Sequence, residues 1–85
     1  MEPQKLYIGQ KPIRFYIIIA KAMLQATGQI CLAGRGRNIS RTVDIAEILK
    51  REGKKIQNIT ISSEQMTNRQ GRQVYVSTIE ITVSN

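Results

Sequence analysis

The chain has 85 residues, which is enough for one small domain spanning residues 1–85 and too few for two. Thirteen Lys and Arg residues against six Asp and Glu residues give a net charge of +7, so the partner should be anionic: a nucleic acid, a membrane surface or an acidic protein. The composition excludes a disulfide framework and a Cys/His zinc site, because Cys31 is the only cysteine and histidine is absent. A domain of this size buries only about 60% of its unfolded surface, so we expect oligomerisation to add stability.

The N-terminal segment Met1–Lys5 lacks the pattern of a signal peptide, and no apolar run approaches the roughly 18 residues of a membrane span. From these features we expect a soluble cytoplasmic protein.

The first half of the chain predicts a strand followed by a helix. Leu6–Ile8 is a short apolar run stopped by Gly9. Pro12 suits a first helical position, and Gly28 stands where a C-terminal cap belongs, so the helix should cover about residues 12–27. The face predicted to meet the core comprises Ile13, Ile17, Ala20, Leu24 and Thr27.

A second strand and helix follow. Ile30–Ala33 is a continuous apolar run typical of a strand covered on both faces, and Arg35–Arg37 forms a charged loop after it. The helix should run roughly from Ile39 to Arg51, with Asn38 or Ser40 capping its start. Its predicted core face comprises Ile39, Val43, Ala46 and Leu49, and Ile45 and Ile48 broaden this apolar stripe.

The last third predicts a long hairpin. A strand begins near Ile56 and becomes polar through Ser62–Thr67, and a turn cluster at residues 67–72 reverses the chain. The returning apolar phase slips near Ser77, which predicts a β-bulge or a strong twist there. The order β-α-β-α-β-β predicts an α+β fold, a two-layer sandwich with two helices on one face of a four-stranded sheet.

Basic residues collect at the predicted connections. Gly36 would let the backbone approach a partner closely, the flanking arginines match phosphate oxygens, and the loop enters a helix N-terminus that favours anions. Arginines at the hairpin turn could follow a DNA groove, although a solvated loop and an ordinary flexible hairpin remain the alternatives. The candidate nucleic-acid-binding residues are Lys11, Arg14, Arg35, Gly36, Arg37, Arg41, Arg69 and Arg72.

Other functions have weaker support. Gly34 and Gly36 suggest a dinucleotide fingerprint, but Ile39 replaces its third glycine and the chain is too short for that fold. The sequence has few aromatic residues and we expect Tyr75 in the core, so a base-stacking sheet is disfavoured and recognition should depend on phosphates. Scattered carboxylates and the missing histidine predict no enzyme, no metal and no cofactor.

Four stretches together resemble the Alba family of archaeal chromatin proteins, over nearly the whole chain. They are Tyr7–Pro12, Gly34–Arg41, Val43–Ile48, and Gly71–Gln73 with Val76–Ile81. The resemblance implies the fold of the C-terminal domain of bacterial initiation factor three. It also implies a homodimer, or a heterodimer with a paralogue, that joins through the second helix and the last two strands. Such dimers bind and package double-stranded DNA without sequence preference, and also bind RNA, so the expected location is the chromosome.

The resemblance also assigns residues. Lys11 falls on the DNA-contacting lysine of the family, Arg35 and Arg37 on its loop arginines, and Arg69 and Arg72 in its hairpin arm.

One position departs from the family pattern. Many members carry a modifiable lysine where this chain has Gln10, and we expect its absence to remove a phosphate contact and a regulatory switch.

Two other roles remain open. The chain could be an RNA-binding subunit or RNA chaperone of a ribonucleoprotein, or a protein-interaction subunit whose charge serves solubility.

Overall fold

The strands and helices follow the order predicted from the hydrophobic pattern. The structure, a computed structural model, describes residues 2–85. Its elements are β1 (Gln4–Tyr7), α1 (Ile13–Thr27), β2 (Gln29–Arg35), a 3₁₀ turn (Gly36–Asn38), α2 (Ile39–Arg51), β3 (Lys55–Thr67) and β4 (Gln73–Ser84). The α+β fold class with two helices on a four-stranded mixed sheet is confirmed.

The sheet topology determines where the connections lie. The strand order is β1-β2-β4-β3, in which β1 pairs in parallel with β2 while β4 is antiparallel to both of its neighbours. Strands β1, β2 and β3 therefore all end at the same edge of the sheet. The β1–α1, β2–α2 and β3–β4 connections, residues 8–12, 36–38 and 68–72, share that edge, which we call the loop end.

Helix α1 has the boundaries predicted from its proline and its glycine. Pro12 occupies the N-cap position, and Gly28 ends the helix in the left-handed conformation (φ 81°) while its N–H donates to the Leu24 carbonyl. The core face differs by one position, because Tyr16 is buried whereas Thr27 is exposed. Thr27 instead donates its hydroxyl proton to the Met23 carbonyl.

Helix α2 has the predicted bounds, but the prediction of a side-chain cap is wrong. Neither Asn38 nor Ser40 caps the helix through its side chain. The preceding 3₁₀ turn supplies an acceptor instead, since the Ile39 N–H donates to the Gly36 carbonyl. The hydroxyl of Thr42 then donates to the Asn38 carbonyl, 2.7 Å away.

The buried face of α2 is also rotated from the predicted one. Ile45, at the margin of the predicted stripe, is fully buried, as is Thr42, which the pattern did not include, while Val43, which the pattern placed in the core, is exposed. The reason lies at Gly34 on β2, where an added Cβ would lie 2.0 Å from Thr42 Oγ1. Because Gly34 has no side chain, α2 can lie close to β2 with Thr42 directly over it. The largest apolar side chains that are fully buried are Leu24, Ile30, Leu32, Ile45, Leu49 and Val83.

Strands β3 and β4 extend beyond the rest of the sheet. The last residue of β2, Arg35, pairs with Thr78, which pairs in turn with Ser62. Residues 63–77 therefore form a two-stranded ribbon with no third strand, which we call the arm. Its five residues from Ser63 to Thr67 give it a length of roughly 17 Å before the turn.

The predicted β-bulge lies elsewhere. The register shift falls in β3 between Ile56 and Asn58, and β4 alternates regularly through Ser77. The shift at Gln57 brings Ile56 and Ile59 to the same face of the sheet. The change of apolar phase near Ser77 instead marks the point where β4 leaves the core and enters the arm.

Candidate nucleic-acid interface

Two side chains, Tyr16 of α1 and Arg41 of α2, form hydrogen bonds with the backbone of the β1–α1 connection. The buried Tyr16 hydroxyl accepts hydrogen bonds from the N–H groups of Gly9 and Lys11, at 2.9 and 3.3 Å. The guanidinium of Arg41, on α2, donates to the carbonyl oxygens of the same two residues, with the Nε–Gly9 oxygen distance at 2.9 Å. Backbone donors and acceptors of this short loop are thus satisfied by residues from both helices.

This arrangement presents Lys11 at the loop end. Its ammonium lies 4.9 Å from the centre of the Phe15 ring, a cation–π contact that restrains the side chain and leaves its charge uncompensated. Among residues 2–85 neither Lys11 nor Arg14 forms an ion pair. Gln10 beside Lys11 is exposed and contributes no charge.

The β2–α2 connection carries two arginines in different settings. Arg35 is paired with Glu64 of the arm at 3.1 Å, so its charge is already engaged with the hairpin. Gly36 adopts a positive φ of 56°, which turns the chain into the 3₁₀ turn. Arg37 in that turn is exposed and forms no ion pair in the described part of the chain.

Asn68 closes the turn of the arm through hydrogen bonds. The side-chain oxygen of Asn68 accepts from the N–H groups of Gln70 and Arg72, both at 2.9 Å, and its backbone N–H donates to the Arg72 carbonyl. Gly71 completes the turn at φ 80°. Asparagine is a known turn former through this type of bond, and here it fixes where Arg69 and Arg72 leave the backbone.

The charges at the two edges of the sheet differ. None of the three loop-end connections contains an acidic residue, and α1 and α2 both begin there, so their N-termini add partial positive charge. The other edge, where α2 turns into β3, is also basic but contains an acid: Glu52 lies among Lys50, Arg51, Lys54 and Lys55 and pairs with Lys21 of α1. The predicted site residues at or beside the loop end are Lys11, Arg14, Arg35, Gly36, Arg37 and Arg41, with Arg69 and Arg72 at the arm tip.

The predicted site residues therefore lie on one side of the molecule, with Arg69 and Arg72 carried beyond the others by the arm. Their side chains are not equally free. Lys11, Arg37, Arg69 and Arg72 are exposed and unpaired within residues 2–85. Arg41 has its guanidinium directed at loop carbonyls, so its assignment as a phosphate contact stays a prediction that competes with a structural role. Sequence reasoning missed Tyr16 and Asn68; the Asn68–Gly71 turn pattern is a local signal for the second, but nothing local indicates the first.

The expectation that Tyr75 lies in the core is wrong, because it is 75% exposed on the arm. Tyr7, for which no burial was predicted, is 72% exposed on β1. Both lie outside the core because the helices cover only one face of the sheet body and no part of the arm.

Residues 2–85 form neither a membrane-spanning helix nor a cluster of metal ligands. No helix there is both long and apolar enough to cross a membrane. No three His, Cys, Asp or Glu side chains within residues 2–85 come together as metal ligands would.

The fold and the charge distribution define a class: small basic α+β proteins with cationic loops and a projecting β-arm at one edge of the sheet. Comparison with known proteins gives the family. The Alba family model matches residues 4–64. A protein of Methanocella arvoryzae named "DNA/RNA-binding protein Alba" is 32% identical over 84 residues, covering 94% of this chain and 88% of that protein. The chain belongs to the Alba family.

Solved structures agree with that assignment. Alba from Thermoplasma volcanium superposes with a TM-score of 0.87 at 29% identity, covering 96% of this chain and all of the other. ALBA1 from Trypanosoma brucei shares the fold with a TM-score of 0.81 at 22% identity, and the match covers 100% of this chain and 71% of the ALBA1 chain.

Proposed function

We propose that this protein binds and packages double-stranded DNA, and also binds RNA, without sequence preference, as a dimer associated with the chromosome. The observation that carries the proposal is the set of unpaired cations at the loop end and arm tip. Phosphate contacts of this kind give affinity that does not depend on base sequence. The name of the Methanocella relative, a DNA/RNA-binding protein, points to the same ligands.

The arm supports a second contact along the duplex. It is about 17 Å long and ends in Arg69 and Arg72, held by the Asn68 turn. A narrow β-ribbon with arginines at its tip can follow the minor groove, where basic side chains contribute binding without reading individual bases. The ion pair of Arg35 with Glu64 links the base of the arm to β2.

Dimerisation is supported by apolar side chains that one chain leaves uncovered. Ile59 and Ile61 pair with the core residues Ile81 and Ile79, so they lie on the helix side of β3, yet they are 58% and 77% exposed. Val43 on α2 is exposed as well. A second copy that packs on α2 and β3 would bury these residues and place two loop ends on one particle.

The test is the salt dependence of binding. With about four to six phosphates neutralised per dimer, log K should fall against log salt with a slope near −4 to −5 for duplex DNA. Fluorescence anisotropy of labelled duplexes of several sequences, across salt concentrations, measures this slope. We expect Arg37→Ala to weaken binding to all sequences alike and to reduce the slope by up to about 2 per dimer.

Arg51→Ala is the matched control. Arg51 is also an exposed arginine without an ion pair among the described residues, but it ends α2 at the opposite edge of the sheet. If the two variants lowered affinity and slope equally, binding would depend on net charge alone and the loop-end interface would be refuted. Absence of binding at moderate salt would favour the protein-interaction role instead.

The same titration with duplex RNA addresses the alternative role in a ribonucleoprotein. A clear preference for RNA would assign that role. Comparable affinity for both duplexes would support the broader binding proposed here, since a phosphate-directed surface distinguishes them weakly.

A further inference from the structure

The face of the sheet opposite the helices is uncovered and polar. Ala33 on β2 pairs with Tyr7 on one side and with Glu80 on the other, and cross-strand partners share a face. Since Leu32 on β2 and Ile79 on β4 point into the helix-covered core, these three residues point away from it. Tyr7 therefore exposes its aromatic ring on the same face as the small side chain of Ala33 and the carboxylate of Glu80.

Two ion pairs and a hydroxyl pair surround this spot. Lys5 contacts Glu80 at 2.8 Å, and the hydrogen bond between them raises the pKa of Lys5 above its ordinary value. The Ser62 and Thr78 hydroxyls lie 2.6 Å apart on the neighbouring strands. With Arg35 held by Glu64, this face has donors and acceptors but no net charge, in contrast to the loop end.

A groove of about 490 Å³ runs over these residues. Ala33 is buried between longer neighbouring side chains, so the groove is deep above it. A larger side chain at this position would fill that space. Ser62, Thr78 and Glu80 contribute polar groups to the lining. The groove thus combines an aromatic ring, a small floor and polar side chains.

We infer that this groove binds an unpaired nucleobase of single-stranded nucleic acid, stacked on Tyr7 over Ala33 with its polar edge toward Glu80. A duplex does not suit the groove, because its bases are stacked inside and its phosphates would meet Glu64 and Glu80. An unpaired base carries no charge on its ring and presents a π-face that stacks on tyrosine. The residues that would hold the base, Tyr7, Ala33 and Glu80, lie outside the loop-end connections, although Arg35 borders both sites.

The carboxylate favours particular bases. Lys5 engages Oε2 of Glu80, and the remaining oxygen can accept from a base amino group. Guanine offers two adjacent donors, its ring N–H and its amino group, whereas uracil offers a single ring N–H. We therefore expect guanine to bind more tightly than uracil.

The groove stays open in the dimer proposed above. The uncovered apolar residues Ile59 and Ile61 lie on the helix side of the sheet, opposite the face that carries Tyr7. A partner that buries them leaves the groove accessible to single strands.

The first experiment uses the absence of tryptophan from the chain. Tyr7→Trp introduces a single indole fluorophore at the exposed stacking position. Short uridine oligomers with one internal guanosine should quench its emission, and their deoxy counterparts show whether the ribose is needed. Quenching by RNA alone or by both single strands supports the site; quenching by neither overturns it.

The second experiment measures affinity with the protein's own tyrosine removed. Tyr7→Ala should weaken single-strand binding roughly tenfold, because one base stack is lost, and leave duplex binding unchanged. Arg37→Ala is the reciprocal control: it should weaken duplex binding more than single-strand binding. A Tyr7→Ala variant that loses duplex and single-strand affinity equally would refute a separate site.

Glu80→Gln tests the orientation of the base. It should reduce the preference for guanosine over uridine while stacking on Tyr7 persists. Equal affinity of the unsubstituted protein for both bases would overturn the role of Glu80. Failure of duplex binding would contradict the proposed packaging function alone, because the indole quenching in the Tyr7→Trp variant is read independently.

Discussion

The bonds from Arg41 to the β1–α1 loop allow a sharp prediction about how Lys11 is presented. If Arg41 contacted phosphate directly, Arg41→Lys would keep the charge and nearly all of the affinity. In the structure its guanidinium instead donates to the carbonyls of Gly9 and Lys11 at once. A lysine ammonium lacks the planar fork needed to hold both, so we expect Arg41→Lys to weaken duplex binding about as much as Arg41→Ala.

The size of the effect follows from the bonds lost. A hydrogen bond with one charged partner contributes about 1.5–3 kcal/mol when buried, and partial exposure of this loop reduces that value. We therefore expect a loss of about 1–1.5 kcal/mol in binding for each altered loop, close to tenfold in affinity. The amide protons of Gly9 and Lys11 should exchange faster with solvent as the loop loosens.

Tyr16→Phe perturbs the same loop without any change of charge. The Tyr16 hydroxyl is buried and accepts from the two loop N–H groups, so it is positioned to order the loop and not to meet phosphate. We expect this variant to weaken duplex binding severalfold, measured by anisotropy at fixed salt.

A double-mutant cycle tests whether Arg41 acts through Lys11. Arg41→Ala should lower duplex affinity less when Lys11 is already alanine. Strict additivity, or full affinity in Arg41→Lys, would refute the positioning role.

Three other expectations concern packing, assembly and the departure at Gln10. Gly34→Ala should lower the free energy of unfolding by about 2–4 kcal/mol in denaturant titration, because its Cβ would overlap Thr42 Oγ1. Adding Thr42→Ala should restore part of the loss. An unchanged denaturation midpoint in Gly34→Ala would contradict the packing described. Ile61→Glu should shift the protein from dimer to monomer in sedimentation analysis, whereas a dimer of unchanged stability would place the interface elsewhere. Gln10→Lys should tighten duplex binding and steepen the salt slope by up to about 1 per protomer; an unchanged slope would show that the position makes no phosphate contact.

The sequence by itself determined the features that depend on local chemistry. Helix α2 runs from Ile39 to Arg51 as its periodicity predicts, and Gly28 ends α1 because a left-handed cap needs a residue without Cβ. The clustering of basic residues in the connections is also a property of the chain alone. These features follow from patterns a few residues long.

The tertiary structure alone decided which faces are covered and which distant residues meet. Thr42 replaces Val43 in the core because Gly34, on another strand, lets α2 approach there. Burial of a side chain depends on what the rest of the fold places over it, and hydrophobic periodicity does not contain that information.

The same limit applies to the candidate sites. The convergence of three connections at one edge requires the parallel pairing of β1 with β2 and the position of β4 between β2 and β3. Arg41 meets Lys11 across 30 residues of sequence, and Tyr7 is exposed because both helices pack on the other face. Contacts between residues so far apart depend on strand order and helix packing. The residue types were therefore enough to predict an anionic ligand. Only the fold showed that the loop end and the open sheet face are two different candidate sites.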